Sequence, residues 1–324
     1  MRILITGIGG FVGSHLAAHL TLAMPDAEIH GTIMPNLPVQ LRGAIAALHP
    51  VDLRDDREVR ELITAVRPDH VYHLAAWAIV HLSFDRAWET LENNIRIQLN
   101  VIQGCLALEK RPRILAVTSG EVYGADQPES HPTTEDASFR PSNPYAVSKV
   151  AQDMLCLQYY LSHGLEIVRA RPFNHLGAGQ STGFVAPDLA SQIARIELGV
   201  QEPVIRCGDL TSERDFTDVR DIVRAYRLLI ERGKAGEAYN VSSGKTHTIR
   251  ELLDTLLADA KAPISVESDP NRVRSSGVRK SWGDPSKLRA ATGWEPEFSF
   301  ERTIHAVLED CRLRVQSLNR MNES

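Results

Sequence analysis

Tyr145-Ala146-Val147-Ser148-Lys149 is the stretch of this sequence whose residue types and spacing speak most directly of chemistry. Asn143-Pro144 ahead of it signals a helix start, with proline in the first turn. On a helix, Tyr145 and Lys149 at i and i+4 share one face. An ammonium beside a phenol favours the phenolate and is expected to depress the tyrosine pKa. Bringing a phenol from about 10 to about 7 takes roughly 4 kcal/mol of differential stabilisation. Such a tyrosine can give or take a proton on a carbonyl or hydroxyl oxygen near neutral pH. Alone, a Tyr-x-x-x-Lys pair is more often a plain surface pair, so its meaning depends on what accompanies it.

Its company is specific. Gly7-Ile8-Gly9-Gly10-Phe11-Val12-Gly13 follows an apolar run, Arg2–Thr6, and precedes helical spacing over Gly13–Ala23. Glycine permits a tight turn and lets backbone N–H groups approach a pyrophosphate at a helix N-terminus, so Gly7, Gly10, Phe11, Val12 and Gly13 are candidate cofactor contacts. An acidic residue about 20 residues further on would favour NAD, an arginine NADP. Gly31-Thr32-Ile33-Met34-Pro35-Asn36 offers neither, and Arg42 is the nearest cation, so NAD against NADP stays open. Asp52-Leu53 suits an adenine contact, or Asp52 caps the helix that follows. Leu74-Ala75-Ala76 ends another strand with residues small enough for a dinucleotide to lie close. Val117-Thr118-Ser119-Gly120-Glu121-Val122-Tyr123-Gly124 brings a hydroxyl, Ser119, and an acid or base, Glu121, to a strand end, unless Glu121 is only a solvated loop carboxylate.

These residues need a frame that gathers strand ends. Arg2–Thr6, Ala27–Ile33, His70–Leu74 and Ile114–Thr118 read as short apolar strands. Between them, Asp56–Val66 and Trp88–Glu109 read as helices. Apolar strands alternating with helices mean a parallel sheet covered on both faces, a doubly wound α/β fold whose ligands bind beyond the strands' carboxyl ends. After about Phe173 glycine and proline become more frequent. Val219–Arg232 still reads as a helix and Ala238–Val241 as a strand, and the rest as a smaller mixed α/β lobe. At 324 residues, with 43% hydrophobic and 24% charged, the chain can fill about two cores. The expected division is 1–172 plus about 213–244 for the dinucleotide, and about 173–212 plus 245–316 for the substrate.

Composition also excludes. A net charge of −5 without a basic cluster argues against nucleic acid as a partner. No apolar run approaches a membrane span, and the N-terminus lacks signal-peptide features. The cysteines, Cys105, Cys156, Cys207 and Cys311, are too scattered for a metal site or disulfide frame. A metal-free cytoplasmic protein is expected.

Together the motifs resemble the extended short-chain dehydrogenase/reductase family (the NAD-dependent epimerase/dehydratase enzymes) of nucleotide-sugar modification, from Met1 to about Arg312. The resemblance implies a Rossmann domain and a catalytic triad: Tyr145 as proton donor, Ser119 orienting the substrate, Lys149 holding nicotinamide ribose. Asn94 matches the family's asparagine on the long central helix and is counted with the cofactor contacts. Arg171-Pro172-Phe173-Asn174-His175 resembles the turn of members that use GDP-sugars. Gln180-Ser181-Thr182-Gly183-Phe184-Val185 resembles those that reduce GDP-4-keto-6-deoxy-mannose. By the same resemblance Asn174, Phe184 and Val185 meet the substrate, and Arg214 and Arg274 clasp its diphosphate; a forked guanidinium suits phosphate oxygens.

Two departures stand out. The family's acidic nucleotide contact after Arg274 is absent from Ser275-Ser276-Gly277-Val278, and Trp77-Ala78 replaces residues that are usually polar. The implied activity is hydride transfer from NAD(P)H to C4 of the keto-sugar, giving GDP-rhamnose or its C4 epimer. A GDP-mannose 4,6-dehydratase is the alternative, in which Glu121 helps eliminate water, and another nucleotide-sugar epimerase a weaker one. From a different class, a non-catalytic dinucleotide sensor usually lacks the tyrosine present here. The family also implies a homodimer through the two central helices, along Leu91, Ile95, Leu99 and Ile102 with Val147, Val150, Met154 and Leu157; core packing would use the same stripe.

Overall fold

A computed structural model describes residues 1–35, 39–126, 129–269 and 278–323. The chain opens with β1 (Arg2–Thr6), turns through glycines into α1 (Phe11–Ala23), and continues as β2 (Glu28–Ile33) and β3 (Ala47–Pro50). Helix α2 (Asp56–Val66) starts on Asp55, whose carboxylate accepts from the N–H groups of Arg57 and Glu58. Then come β4 (His70–His73), the short α3 (Leu82–Asp85), the long α4 (Ala87–Leu106) and β5 (Arg113–Val117). A 3₁₀ segment, Gly120–Asp126, breaks at Gly124. A methyl group on Gly124 would run into the Arg140 carbonyl, so only glycine fits.

Helix α5 (Pro144–His163) leads to β6 (Ile167–Pro172) and β7 (His175–Leu176). Next are α6 (Val185–Glu197), β8 (Val204–Cys207), β9 (Glu213–Arg214), β10 (Thr217–Asp218), α7 (Val219–Arg232) and β11 (Ala238–Val241). The chain closes with β12 (His247–Thr248), α8 (Ile249–Ala258), β13 (Ser265–Ser268), β14 (Lys280–Ser281), α9 (Ser286–Thr292) and α10 (Phe300–Glu323).

Seven strands form one parallel sheet in the order β11-β6-β5-β4-β1-β2-β3. The chain builds outward from β1 to β3, then crosses to β4 on the other side of β1. That reversal leaves a crevice beyond the carboxyl ends of β1 and β4. Side chains alternate along each strand. Ile3 and Ile5 pack with α1 and α7 through Leu16, Leu20, Ile222 and Tyr226, whereas Leu4 packs with α2, α4 and α5 through Ile63, Val101 and Cys156. Burial on both faces is why β1 is apolar from Ile3 to Ile5. A second core gathers α6, α8 and α10 around Ile193, Leu252, Leu256, Val307 and Leu308.

The α/β class and parallel sheet expected from the sequence are present. The residues of α2, α7 and β11 are those that the spacing predicts, while α4 starts one residue before and ends three residues before the predicted Trp88–Glu109. Strand β3 escapes sequence reading because it is a half-buried edge ending in proline, with little apolar signal. Asp52 is not the helix cap: its carboxylate is engaged by the Arg54 guanidinium at 2.6–3.1 Å, and Asp55 caps α2.

Candidate active site

A cavity of about 770 Å³ lies beyond the carboxyl ends of the central strands, its wall including both Gly7 and Phe184. The glycine turn fits a dinucleotide pyrophosphate. Gly7 sits at φ +70°, in left-handed backbone. A methyl on Gly13 would stand 2.3 Å from the Gly7 carbonyl oxygen, so α1 can press against β1 only with glycine there. The α1 N-terminus has no side-chain cap and no acidic residue in its first turn, leaving its N–H groups open to an anion. Gly7, Gly10, Phe11, Val12, Gly13, Asp52, Leu53, Leu74, Ala75 and Ala76 all line the cavity. Thr6 holds this end together, its hydroxyl accepting from the N–H groups of Leu74 and Ala75 at 3.1 and 3.2 Å.

Further along the cavity stand Ser119, Glu121, Tyr145 and Lys149. Tyr145 and Lys149 are placed by α5, which starts at Asn143 with Pro144 in its first turn. Lys149 Nζ donates to the Val117 carbonyl at 3.1 Å and lies 5.8 Å from the centre of the Tyr145 ring. Ser119 Oγ accepts from the Glu121 N–H at 3.1 Å, and its hydroxyl is engaged with the Tyr145 phenol.

The electrostatics differ from the expectation. Burial pushes the Tyr145 phenol above its ordinary value, the hydrogen bond to Ser119 lowers it only in part, and the Glu121 carboxylate adds to the rise. Burial pulls Lys149 down to about 7. The expected depression of Tyr145 by Lys149 is therefore absent in the protein by itself. Desolvation penalises both charged forms and outweighs their pairing.

Other expected contacts divide. Asn174 and Phe184 line the cavity, and Phe184 is steadied where the Gly183 N–H meets Asp188 Oδ1 at 2.8 Å. Val185, the first residue of α6, packs against the second core instead of forming the wall. Asn94 is fully buried behind the wall: its amide oxygen accepts from the Trp77 N–H at 2.8 Å, and its nitrogen donates to the Trp77 carbonyl at 3.1 Å and Ser148 Oγ at 2.9 Å. It holds the wall where a direct cofactor contact was expected; its neighbour Asn93 faces the cavity. Arg214 is set back from the wall, next to Ser281, which lines it. The Arg214 guanidinium donates to the carbonyls of Glu213, Arg279 and Val278 at 2.8–3.1 Å. Arg274 falls outside the described residues. Arg42 reaches the Ala178 carbonyl at 3.3 Å, binding the loop after β7 to the nucleotide end.

Several wall residues fall outside the expected contacts. Trp77, Ala78, Ile79 and Val80 form an apolar side, and Val39 closes over Gly9. His175 lies parallel to Phe11 at 6.2 Å and its Nδ1 pairs with the Phe173 carbonyl at 3.0 Å. An N-terminal phenylalanine stacked on a residue far along the chain is a tertiary fact that spacing cannot express.

Comparisons with known proteins place the whole chain. The chain is 37% identical to GDP-6-deoxy-D-mannose reductase of Pseudomonas aeruginosa, over 97% of this chain and 98% of that one. The solved structure of RMD from Pseudomonas aeruginosa complexed with NADPH superposes with a TM-score of 0.85 at 36% identity, covering 97% of this chain and 99% of that one. GDP-mannose 4,6 dehydratase 2 of Arabidopsis thaliana is 29% identical, over 95% and 86% of the two chains. The UDP-glucose 4-epimerase of Thermus thermophilus in complex with NAD superposes with a TM-score of 0.82 at 29% identity, covering 96% and 99%. The family description "GDP-mannose 4,6 dehydratase" matches residues 4–307, and with the glycine turn, Ser119, Tyr145 and Lys149 gathered on one cavity, the chain belongs to that family.

Proposed function

We propose that this chain is an NAD(P)-dependent oxidoreductase that reduces C4 of a GDP-4-keto-6-deoxy-mannose-type sugar, giving GDP-rhamnose or its C4 epimer. The observation that carries the reading is the convergence of Ser119, Tyr145 and Lys149 on the cavity that begins at the glycine turn. The near full-length similarity to a GDP-6-deoxy-D-mannose reductase supports the substrate. A bound NAD(P)H supplies the hydride. Tyr145 gives its proton to the carbonyl oxygen as charge develops there, and the Ser119 hydroxyl beside it steadies that oxygen. The protonated phenol is the form that donates in the reductive direction, and burial by itself makes it a weaker acid than an exposed tyrosine. Leu53, Leu74, Ala75 and Ala76 hold the dinucleotide; Asn174, Phe184 and Arg214 meet the sugar nucleotide. In this reading 1–172 with 213–244 serves the cofactor, and 173–212 with 245–316 the sugar nucleotide.

A GDP-mannose 4,6-dehydratase is the second reading; Glu121 on the same cavity suits it and the reductase alike. The deciding experiment supplies GDP-mannose and a separate dehydratase and follows NAD(P)H absorbance. Consumption that begins only as the keto-sugar accumulates, and is lost in Tyr145→Phe, supports reduction. If the protein alone converts GDP-mannose to the keto-sugar, the reductase reading is overturned, and binding of NAD(P)H without turnover of either sugar makes it a sensor.

We also propose a cytoplasmic homodimer through α4 and α5. No helix among the described residues is long and apolar enough to cross a membrane, and the four cysteines are free. Val147, Met154 and Leu161 are exposed seven residues apart on α5, while Ile102 of the expected stripe is buried in the core. Leu161→Glu is expected to yield a monomer by light scattering.

A further inference from the structure

We propose that Asn143 is a positioning residue whose side-chain amide locks the Glu121 carboxylate to the helix that carries Tyr145. Its effect on turnover rests on the reductase reading above; its effect on stability does not.

The orientation of this amide is forced. Asn143 is the residue before α5, with extended backbone at φ −151° and ψ 160°, and its oxygen accepts from the Ala146 N–H at 2.7 Å. The reversed amide would bring an NH₂ group against an N–H donor. The nitrogen must therefore face the other way, where it donates to Glu121 Oε2 at 3.3 Å. The residue is 8% exposed, so water does not substitute freely for either partner.

The bond closes a circuit. Glu121 donates its N–H to Ser119 Oγ, Ser119 is hydrogen-bonded to the Tyr145 hydroxyl, and Tyr145 belongs to the helix that Asn143 starts. The 3₁₀ segment carrying Glu121 and the helix carrying Tyr145 are thus set against each other by one side chain. Serine, threonine and aspartate also start helices well, but asparagine adds a donor on the far side of the acceptor. The charged and titratable groups acting with Glu121 are Tyr145 of α5 and the Arg214 guanidinium of β9.

Asn143→Asp separates the two functions, because aspartate caps a helix as well as asparagine but turns the donor into a second carboxylate facing Glu121. Two close acids favour sharing a proton in the folded state, so folded protein binds more protons than unfolded above about pH 4. The melting temperature of the variant is therefore expected to match wild type near pH 4 and fall progressively below it as pH rises. In Glu121→Gln/Asn143→Asp the glutamine donates to the aspartate, the pair is restored with its ends exchanged, and the pH-dependent gap closes. On the keto-sugar, Asn143→Asp is expected to lose roughly tenfold or more in kcat at pH 8 and to recover part of it towards pH 6, with KM for the cofactor unchanged. Asn143→Ser, which keeps the cap without the donor or the charge, is expected to show a smaller loss and no new pH dependence.

The proposal is overturned if the melting-temperature gap of Asn143→Asp is flat with pH, or persists in the double variant. If the wild type leaves the keto-sugar untouched while the gap opens and closes as described, the reductase reading falls and the positioning role of Asn143 stands.

Discussion

Lys149 Nζ lies 5.8 Å from the centre of the Tyr145 ring and donates to the Val117 carbonyl at the end of β5. This ties the ammonium to the strand that leads to Ser119 while α5 carries both its own backbone and the phenol. The two side chains depend on one another less through their charges than through shared burial. Burial raises Tyr145 and brings Lys149 down to about 7.

That burial has a measurable cost. Lys149 binds its proton less tightly in the folded protein than in the unfolded chain, where its value is near 10.5. Between about pH 7 and pH 10.5 the unfolded chain holds the extra proton, so this residue makes stability rise with pH across that window. Lys149→Met is expected to raise the melting temperature at pH 6.5, with a gain that shrinks as pH approaches 10. The same variant should lose activity by about 10²–10⁴-fold, as should Tyr145→Phe without a comparable change in stability. Melting curves over pH with steady-state rates check both; a gain that grows with pH would count against the assignment.

Gly13→Ala tests the phosphate turn. Its methyl would lie 2.3 Å from the Gly7 carbonyl oxygen and 2.8 Å from Ile8 Cα, against backbone that has nowhere to yield. A loss of about 1–3 kcal/mol in stability is expected, together with loss of NAD(P)H binding by fluorescence titration. Gly164→Ala provides the contrast: nothing lies within 4 Å, and its φ of +63° costs backbone strain alone.

Arg214→Ala is expected to raise KM for the nucleotide sugar by tenfold or more, leaving kcat nearly unchanged, since a hydrogen bond to a charged phosphate contributes about 1.5–3 kcal/mol. Arg214→Lys should recover little, because an ammonium cannot reproduce the fork. Calorimetric titration of GDP isolates the contact from the chemistry. Equal affinity in wild type and Arg214→Ala would remove Arg214 from the substrate site.

Beneath the site, Asp153 receives Arg169 at 2.5 Å and Arg171 at 2.8 and 2.9 Å, all three side chains being buried. Burial alone would raise the Asp153 carboxyl, and the bonds from Arg171 and Arg169 outweigh it and hold the value low. Its contribution is present above about pH 4 and is lost as pH falls through the folded value. Asp153→Asn leaves two buried cations short of their counter-charge. A loss of about 3–5 kcal/mol in chemical denaturation is expected, and the variant should have lost the acid-sensitive component of the wild-type curve.

Much of the site was legible before any coordinates. The glycine turn, Ser119, Tyr145 and Lys149 are local patterns: each requirement lies within a few residues, so sequence expresses it. The cavity wall was partly legible, since Leu74-Ala75-Ala76 reads as a small-residue strand end. Asn94 shows where the local view stops. Its position matches the motif, but its amide is spent on both backbone groups of Trp77 and on Ser148. Val185 shows the same: Phe184 turns to the cavity and its neighbour to the second core, a one-residue difference set by where α6 begins.

The sequence by itself determined the strand-helix alternation, the glycine turn that opens the first helix, and the spacing that sets Tyr145 and Lys149 on one helix face. These follow from backbone geometry and side-chain chemistry at short range. Tertiary structure decided how strongly the site is desolvated, and so the direction of the Tyr145 shift, because burial sums over atoms from distant segments. It also decided that Phe11 lies against His175, that Arg42 grips Ala178, and that Asn143 joins Glu121 to α5. Each is a meeting of residues whose separation along the chain carries no record of their distance in space.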